Sequence, residues 1–215
     1  MIVKRTITKE DISEMPKVSF EGKIIVICTE KDAQRAVAFL SNYPALGIDS
    51  ETKPSFVKGK SHKVSLLQIS TDDYCFLFRL NLIGLHKALI DLLENPSIVK
   101  VGLSLKDDFL ALRKRVSFKQ QNCIELQEFV KPFGILDKSL QKIYAILFGH
   151  KISKAQRLSN WEAETLSPSQ QVYAATDAWT CLKIYNLLQE LHQTGNYVKE
   201  EIVEPVIEEK EKEKE

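Results

Sequence analysis

Short β-branched runs alternate with longer amphipathic stretches along most of this chain. Lys23-Ile24-Ile25-Val26-Ile27-Cys28 reads as a strand. Over 31–41, Ala33, Ala36, Val37 and Leu40 fall on one helical face, and Thr29 is placed to cap it. Asn42-Tyr43-Pro44 ends that helix, and a strand over 45–51 follows. Val64–Ser70 and Tyr74–Phe78 flank the hairpin loop Thr71-Asp72-Asp73, so the three strands from 45 to 78 should run antiparallel. Further on, helical spacing marks 83–93 and 106–115, with short strands over 98–102 and 123–126. The remainder reads as helix over 127–132, 139–148 and from Pro168 to about Gln193. Ser167, Pro168 and Gln170 have the spacing of a capping box with Pro at the first helical position, which fixes where the last helix starts. Residues 1–22 read as a polar, irregular extension, with a turn of helix near 11–15, and 196–215 as a charged, disordered tail. The order predicts one α/β domain over 23–195. Its central sheet is mixed, an antiparallel meander plus parallel strands, flanked by helices.

Composition adds limits. An apolar fraction of 44% over 215 residues suits one soluble domain with a sizeable core. No run reaches the length of a membrane span and residues 1–20 have no leader-like apolar stretch, so no membrane partner and a cytoplasmic location are expected. Cys28, Cys75, Cys123 and Cys181 form no CxxC pair and sit in apolar surroundings, so four buried free thiols are expected. Residues 199–215 hold eight Glu against four Lys, a net of −4, which leaves +5 on the rest. A mildly basic body is compatible with a polyanionic substrate without requiring one.

The candidate chemistry is in carboxylates. Asp49 and Glu51 lie one residue apart at a strand end, so they share a face, while Leu46 and Ile48 point to the opposite layer. Asp107 and Asp108 fall in the first turn of a helix that begins after Gly102. Acids there complement the helix dipole without any other role. A buried stripe of Leu105, Phe109, Leu112 and Val116 slightly favours Asp108 as the inward one. Tyr173 and Asp177 are i and i+4 in the last helix, among Ala174, Ala175 and Ala178. Four carboxylates from three segments, with one phenol, make a ligand set for two hard divalent cations, Mg²⁺ or Mn²⁺. Such a pair can stabilise the attacking and leaving oxygens of a phosphoryl displacement, and a phenol can orient or deprotonate the water. No P-loop and no GxGxxG is present, and His62, His86, His150 and His192 are too scattered for a zinc site.

In their order and connecting phrases these segments resemble the 3′–5′ exonucleases of the DEDD superfamily, tyrosine branch, as in the Werner-type helicases and RNase D. Gly47-Ile48-Asp49-Ser50-Glu51-Thr52 is similar to the first motif, Val101-Gly102 through Asp108 to the second, and Tyr173-Ala174-Ala175-Thr176-Asp177 to the third. Leu66-Leu67-Gln68-Ile69 and Leu158-Ser159-Asn160-Trp161-Glu162 also resemble that subfamily. The resemblance implies an RNase H-like fold and selects Asp108 over Asp107. It implies that Asp49, Glu51, Asp108 and Asp177 hold two ions, with Asp49 shared, and that Tyr173 positions the nucleophile. Thr52 and Lys53 would lie at the terminal nucleotide. The implied partner is a nucleic acid with a free 3′ end, single-stranded or recessed, and the implied product a 5′-mononucleotide. DNA is favoured as the polymer. The alternatives are an RNase D-like exoribonuclease and a non-catalytic nucleic-acid or protein-binding module on the same fold. Lys58, Lys60 and Lys63, with Lys151, Lys154 and Arg157, are candidate phosphate contacts. Phe56 is a candidate for stacking on a base, and Trp161 for packing.

Overall fold

β-Branched segments too short to be helices organise the centre of the molecule. In the structure, a computed structural model, residues 1–57, 59 and 61–201 are described. Lys58, Lys60 and the tail from 202 onward therefore lie outside the described residues. The chain opens with β1 (Ile2–Val3), α1 (Lys9–Glu14) and β2 (Lys17–Val18), then β3 (Lys23–Ile27) and α2 (Glu30–Leu40). The meander is β4 (Ala45–Thr52), β5 (Val64–Ser70) and β6 (Tyr74–Phe78). Two short helices, α3 (Leu80–Ile83) and α4 (Lys87–Glu94), lead to β7 (Val99–Gly102), α5 (Leu105–Arg113) and β8 (Cys123–Glu125). After these come α6 (Leu126–Phe129), a 3₁₀ turn, α7 (Leu140–Phe148), β9 (Lys151–Ile152), α8 (Pro168–Thr194) and β10 (Val198–Lys199).

Six strands form one sheet in the order β3-β6-β5-β4-β7-β8. β4, β5 and β6 are antiparallel neighbours, as the hairpin loop implied, while β7 joins β4, β8 joins β7 and β3 joins β6 in parallel. Alternation along the strands divides the core into layers. Leu46, Ile48, Leu67, Ile69, Phe76 and Phe78 pack with α2, α4 and α5. Leu66, Cys75 and Leu77 pack on the other side against Trp161, Ala174 and Ala175. Among the described residues no helix is long and apolar enough to cross a membrane.

α8 lies across β4 because Gly47 lets it approach. A Cβ on Gly47 would stand 2.0 Å from the Ala178 carbonyl oxygen and 3.1 Å from Leu182 Cβ. Backbone cannot yield as a flexible side chain does. Gly47→Ala is therefore expected to destabilise the fold by about 3 kcal/mol, at the upper end of ordinary overpacking costs. Denaturant unfolding measures this, and an unchanged midpoint would show that the helix can back away freely.

Several expectations are corrected. The helix over 83–93 is two, because Gly84 takes a φ of 67° and ends α3. The chain restarts helically after His86, whose Nδ1 accepts from the Ala88 amide at 3.3 Å. Val116 is exposed, since α5 ends at Arg113 before the stripe reaches it. Cys75 and Cys181 are buried, but Cys28 is exposed just beyond the end of β3, and Cys123 is half-buried. Residues 1–18 are ordered rather than irregular. β1 pairs with β10, β2 pairs with β9, and Val3, Ile7 and Ile12 join the core beside α7 and α8.

Candidate active site

Three segments meet at the C-terminal end of β4. Asp49 and Glu51 share the face of β4 that carries Gly47, and so they look toward α8. The second segment is the β7–α5 turn. Gly102 is needed there, because a Cβ would lie 2.3 Å from Leu105 Cδ2 and 2.8 Å from the Ile48 carbonyl oxygen. Ser104 then adopts a left-handed φ of 64°. The turn is held by Glu125, whose carboxylate accepts the Ser104 and Leu105 amides at 2.9 and 2.8 Å. Those are two of the orphan donors of a helix start. α5 leaves this turn with Asp108 half-buried and Asp107 exposed, so the inward acid is the one selected by the resemblance. The third segment is α8. Its start is locked by a reciprocal capping box: the Gln170 amide donates to Ser167 Oγ at 3.2 Å, and Gln170 Oε1 accepts the Ser167 amide at 3.0 Å. That start sets the phase at which Tyr173 and Asp177 face the sheet.

Asp49, Glu51 and Asp177 each offer a carboxylate oxygen, and the three lie within 4.8 Å of one another. Asp108 stands apart from this trio, its Oδ1 accepting a hydrogen bond from Ser50 Oγ. Ser50 sits between the two β4 acids on the opposite face, so one strand end serves both layers. Trp161 is fully buried, its ring centroid 6.0 Å from that of Tyr173, which supports the phenol from behind. This is the packing role expected for Trp161.

The electrostatics are those of an acid cluster short of positive charge. Burial, then Asp108, Glu51 and Asp177, hold Asp49 well above the ordinary carboxylate range. Glu51 is pushed up to about 9 by burial and by Asp177 and Asp108, with Arg157 partly offsetting them. Asp177 rises to about 7 through burial, moderated by the Tyr173 hydroxyl and by Lys154. Asp108 rises to about 6 through burial, moderated by the Ser50 hydroxyl. The Tyr173 phenol is raised by burial and then by Asp177, Glu51 and Asp49, so it is a proton donor at neutral pH and not a base. A divalent cation among Asp49, Glu51 and Asp177 would offset their destabilisation. The donors are hard oxygens, which suits Mg²⁺ or Mn²⁺ and not a thiophilic metal. The residues thus fit such an ion.

Among the basic candidates, Lys154 and Arg157 are exposed, and their charges partly offset the rise of Asp177 and Glu51 respectively. The Lys151 ammonium is bound instead by the Ser13 carbonyl on the N-terminal segment. Lys53 Nζ is 3.5 Å from Glu162, which also meets His62 Nδ1 at 3.3 Å, so Glu162 fastens both ends of the loop after β4. Phe56 on that loop is 84% exposed, free of the core and open to a stacking partner. Ser50 and Glu162 stand within the family-like segments without a role assigned to them, and Glu125 lies outside those segments. Ser50 had a signal in its place between two acids. Glu125 had none, because the turn it caps lies 20 residues earlier in the chain.

Comparison with known proteins agrees with this geometry. A family profile described as 3′–5′ exonuclease matches residues 24–193. The bifunctional 3′–5′ exonuclease/ATP-dependent helicase WRN of Mus musculus is 29% identical over 191 residues, covering 84% of this chain and 14% of that protein. A 3′–5′ exonuclease of Arabidopsis thaliana is 30% identical over 192 residues, covering 82% of this chain and 67% of that one. The crystal structure of Escherichia coli RNase D superposes with a TM-score of 0.70 at 20% identity, over 81% of this chain and 46% of that one, and so shares the RNase H-like fold. With the profile running from the second residue of β3 to the last turn of α8, the chain belongs to the 3′–5′ exonuclease family.

Proposed function

We propose that this chain hydrolyses nucleic acid from a free 3′ end, releasing 5′-mononucleotides, with DNA as the preferred polymer. The observation that carries the reading is the convergence of Asp49, Glu51 and Asp177 within 4.8 Å, beside the protonated Tyr173. Asp49, Glu51, Asp108 and Asp177 would hold two divalent ions, Mg²⁺ or Mn²⁺, with Asp49 common to both. When bound, such ions neutralise charge at the attacked phosphate and lower the pKa of the attacking water. Tyr173 would donate from a half-buried position packed against Trp161, which suits it to orient that water. Lys154 and Arg157 supply positive charge beside the acids, where a phosphate oxygen can take their attention from the carboxylates. Thr52, the last residue of β4, and Lys53 after it would meet the terminal nucleotide.

An exoribonuclease activity is the second reading, favoured by the shared fold with E. coli RNase D, whose structure is described as that of an exoribonuclease involved in structured RNA processing. Digestion of 3′-labelled DNA and RNA side by side, with and without Mg²⁺ or Mn²⁺, separates the two. Metal-dependent release of labelled mononucleotide, faster from DNA, is expected. Faster release from RNA reverses the preference, and no release from either polymer overturns the activity.

Tyr173→Phe is expected to lower kcat by about 10²-fold while leaving KM nearly unchanged, because the hydroxyl acts on the water and not on the bound polymer. Steady-state kinetics on a short labelled oligonucleotide measures both. An equal loss in KM would place Tyr173 in substrate binding.

A further inference from the structure

The side chain of Gln68 is buried without exposure, and neither its Oε1 nor its Nε2 has a hydrogen-bond partner. A buried amide left unpaired costs about 1–3 kcal/mol per group, so an apolar residue would be the more stable choice there. Gln68 stands directly opposite Asp49 in the β4–β5 register. Directly opposed residues project from the same face of an antiparallel pair, with Cβ atoms about 5 Å apart. The amide therefore lies beside the Asp49 carboxylate, under α8. Its other neighbours in that layer offer little. Leu66, Leu77 and Cys75 are apolar or nearly so, and the Ser70 hydroxyl, which donates to the Thr71 carbonyl at 2.8 Å, makes no hydrogen bond with Gln68. Trp161 Nε1, the other orphan of this layer, is only a donor and can serve Oε1 alone. The Nε2 donor still requires an acceptor, and the acceptor across the strand is Asp49.

We propose that Gln68 is a positioning residue for the metal site: its Nε2 donates to the Asp49 carboxylate oxygen when that carboxylate ligates the ion. This rests on the reading of Asp49 as a metal ligand. A ligating carboxylate is normally held by a hydrogen bond from behind, and loss of such a partner weakens metal binding about 10- to 100-fold.

The test is Mn²⁺ binding by isothermal titration calorimetry, with thermal melting in chelator as the second readout. Gln68→Met keeps the length of the side chain and removes the amide. It is expected to bind Mn²⁺ about tenfold more weakly, while melting in chelator at the wild-type temperature or above. Should that variant not fold, the wild-type protein labelled with ¹⁵N-glutamine decides. The Gln68 side-chain amide, assigned by its loss in Gln68→Glu, should shift downfield as Mg²⁺ is added. Wild-type affinity retained in Gln68→Met, or an amide indifferent to Mg²⁺, overturns the inference and leaves the metal site standing. Wild-type protein that takes up no Mn²⁺ overturns both.

Discussion

Asp49→Asn is expected to lower 3′-end hydrolysis by about 10³-fold or more, in a protein that melts higher than wild type when metal is withheld. The loss follows from position. Asp49 is the carboxylate on which burial, Asp108, Glu51 and Asp177 all act, which makes it the centre of the cluster. Charge stabilisation by a bound divalent ion is worth several kcal/mol, and about 4 kcal/mol corresponds to three decades of rate. The gain in stability has the same origin. Without a cation, ionising Asp49 in the fold is costly, and an amide of the same shape removes that cost. At about pH 2 to 3 the variant and the wild type should melt together, since the carboxyl is then largely protonated in both folded and unfolded chains. Toward pH 8 the variant should pull ahead. Exonuclease kinetics and melting in chelator check the two halves separately. Full nuclease activity in clean Asp49→Asn protein would remove Asp49 from the site, and a variant that melts lower at pH 8 would refute the electrostatic account.

The second large effect is a stability that falls as pH rises, and that metal abolishes. Asp108, Asp177 and Glu51 are raised to about 6, about 7 and about 9, against unfolded values near 4. A raised acid binds its proton more tightly in the fold than in the unfolded chain. Its contribution is therefore fully present below about pH 4 and is lost as pH climbs through the folded value. The metal-free protein should lose stability progressively between about pH 4 and about pH 9. Saturating Mg²⁺ or Mn²⁺ binds the ionised carboxylates, so its stabilisation grows with pH over the same interval. Melting curves in chelator and in metal, taken at matched pH, should diverge upward from about pH 4. Their difference isolates the cluster from every other titrating group. Parallel curves across that range would mean that the carboxylates do not bind the ion.

Much of this was legible because the elements that build the site carry strong local patterns. The alternation Leu46–Ile48 against Asp49–Glu51 named both faces of β4, and the capping box at Ser167 set the phase of α8 closely enough to pair Tyr173 with Asp177. The hairpin loop at Thr71–Asp73 gave the antiparallel order of β5 and β6. What escaped depends on partners remote in sequence. β1 and β10 pair over two residues each, too few for any periodicity to register, and so do β2 and β9. The break at Gly84 was masked because Leu85 remains buried in the expected core although the helix does not continue through it. Val116 kept its helical spacing after the helix had stopped. Glu125 caps α5 through space, and an acid on a short strand carries no mark of that.

α8 closes one layer of the sheet and brings in Asp177, 128 positions after Asp49. During synthesis the meander, β7 and α5 all leave the ribosome before it. A nascent chain that ends short of Pro168 can pair β4 with β5, yet it leaves Leu66, Leu77 and the two β4 acids facing water. Asp49 and Glu51 are then solvated carboxylates of ordinary acidity, two oxygen donors with no third to complete the trio. Docking of one helix thus does three things together: it buries the apolar face, raises the acids and creates the demand for a cation. Folding and metal competence should therefore appear in the same kinetic step, and Gly47, where helix and strand come closest, sits at the point of that docking.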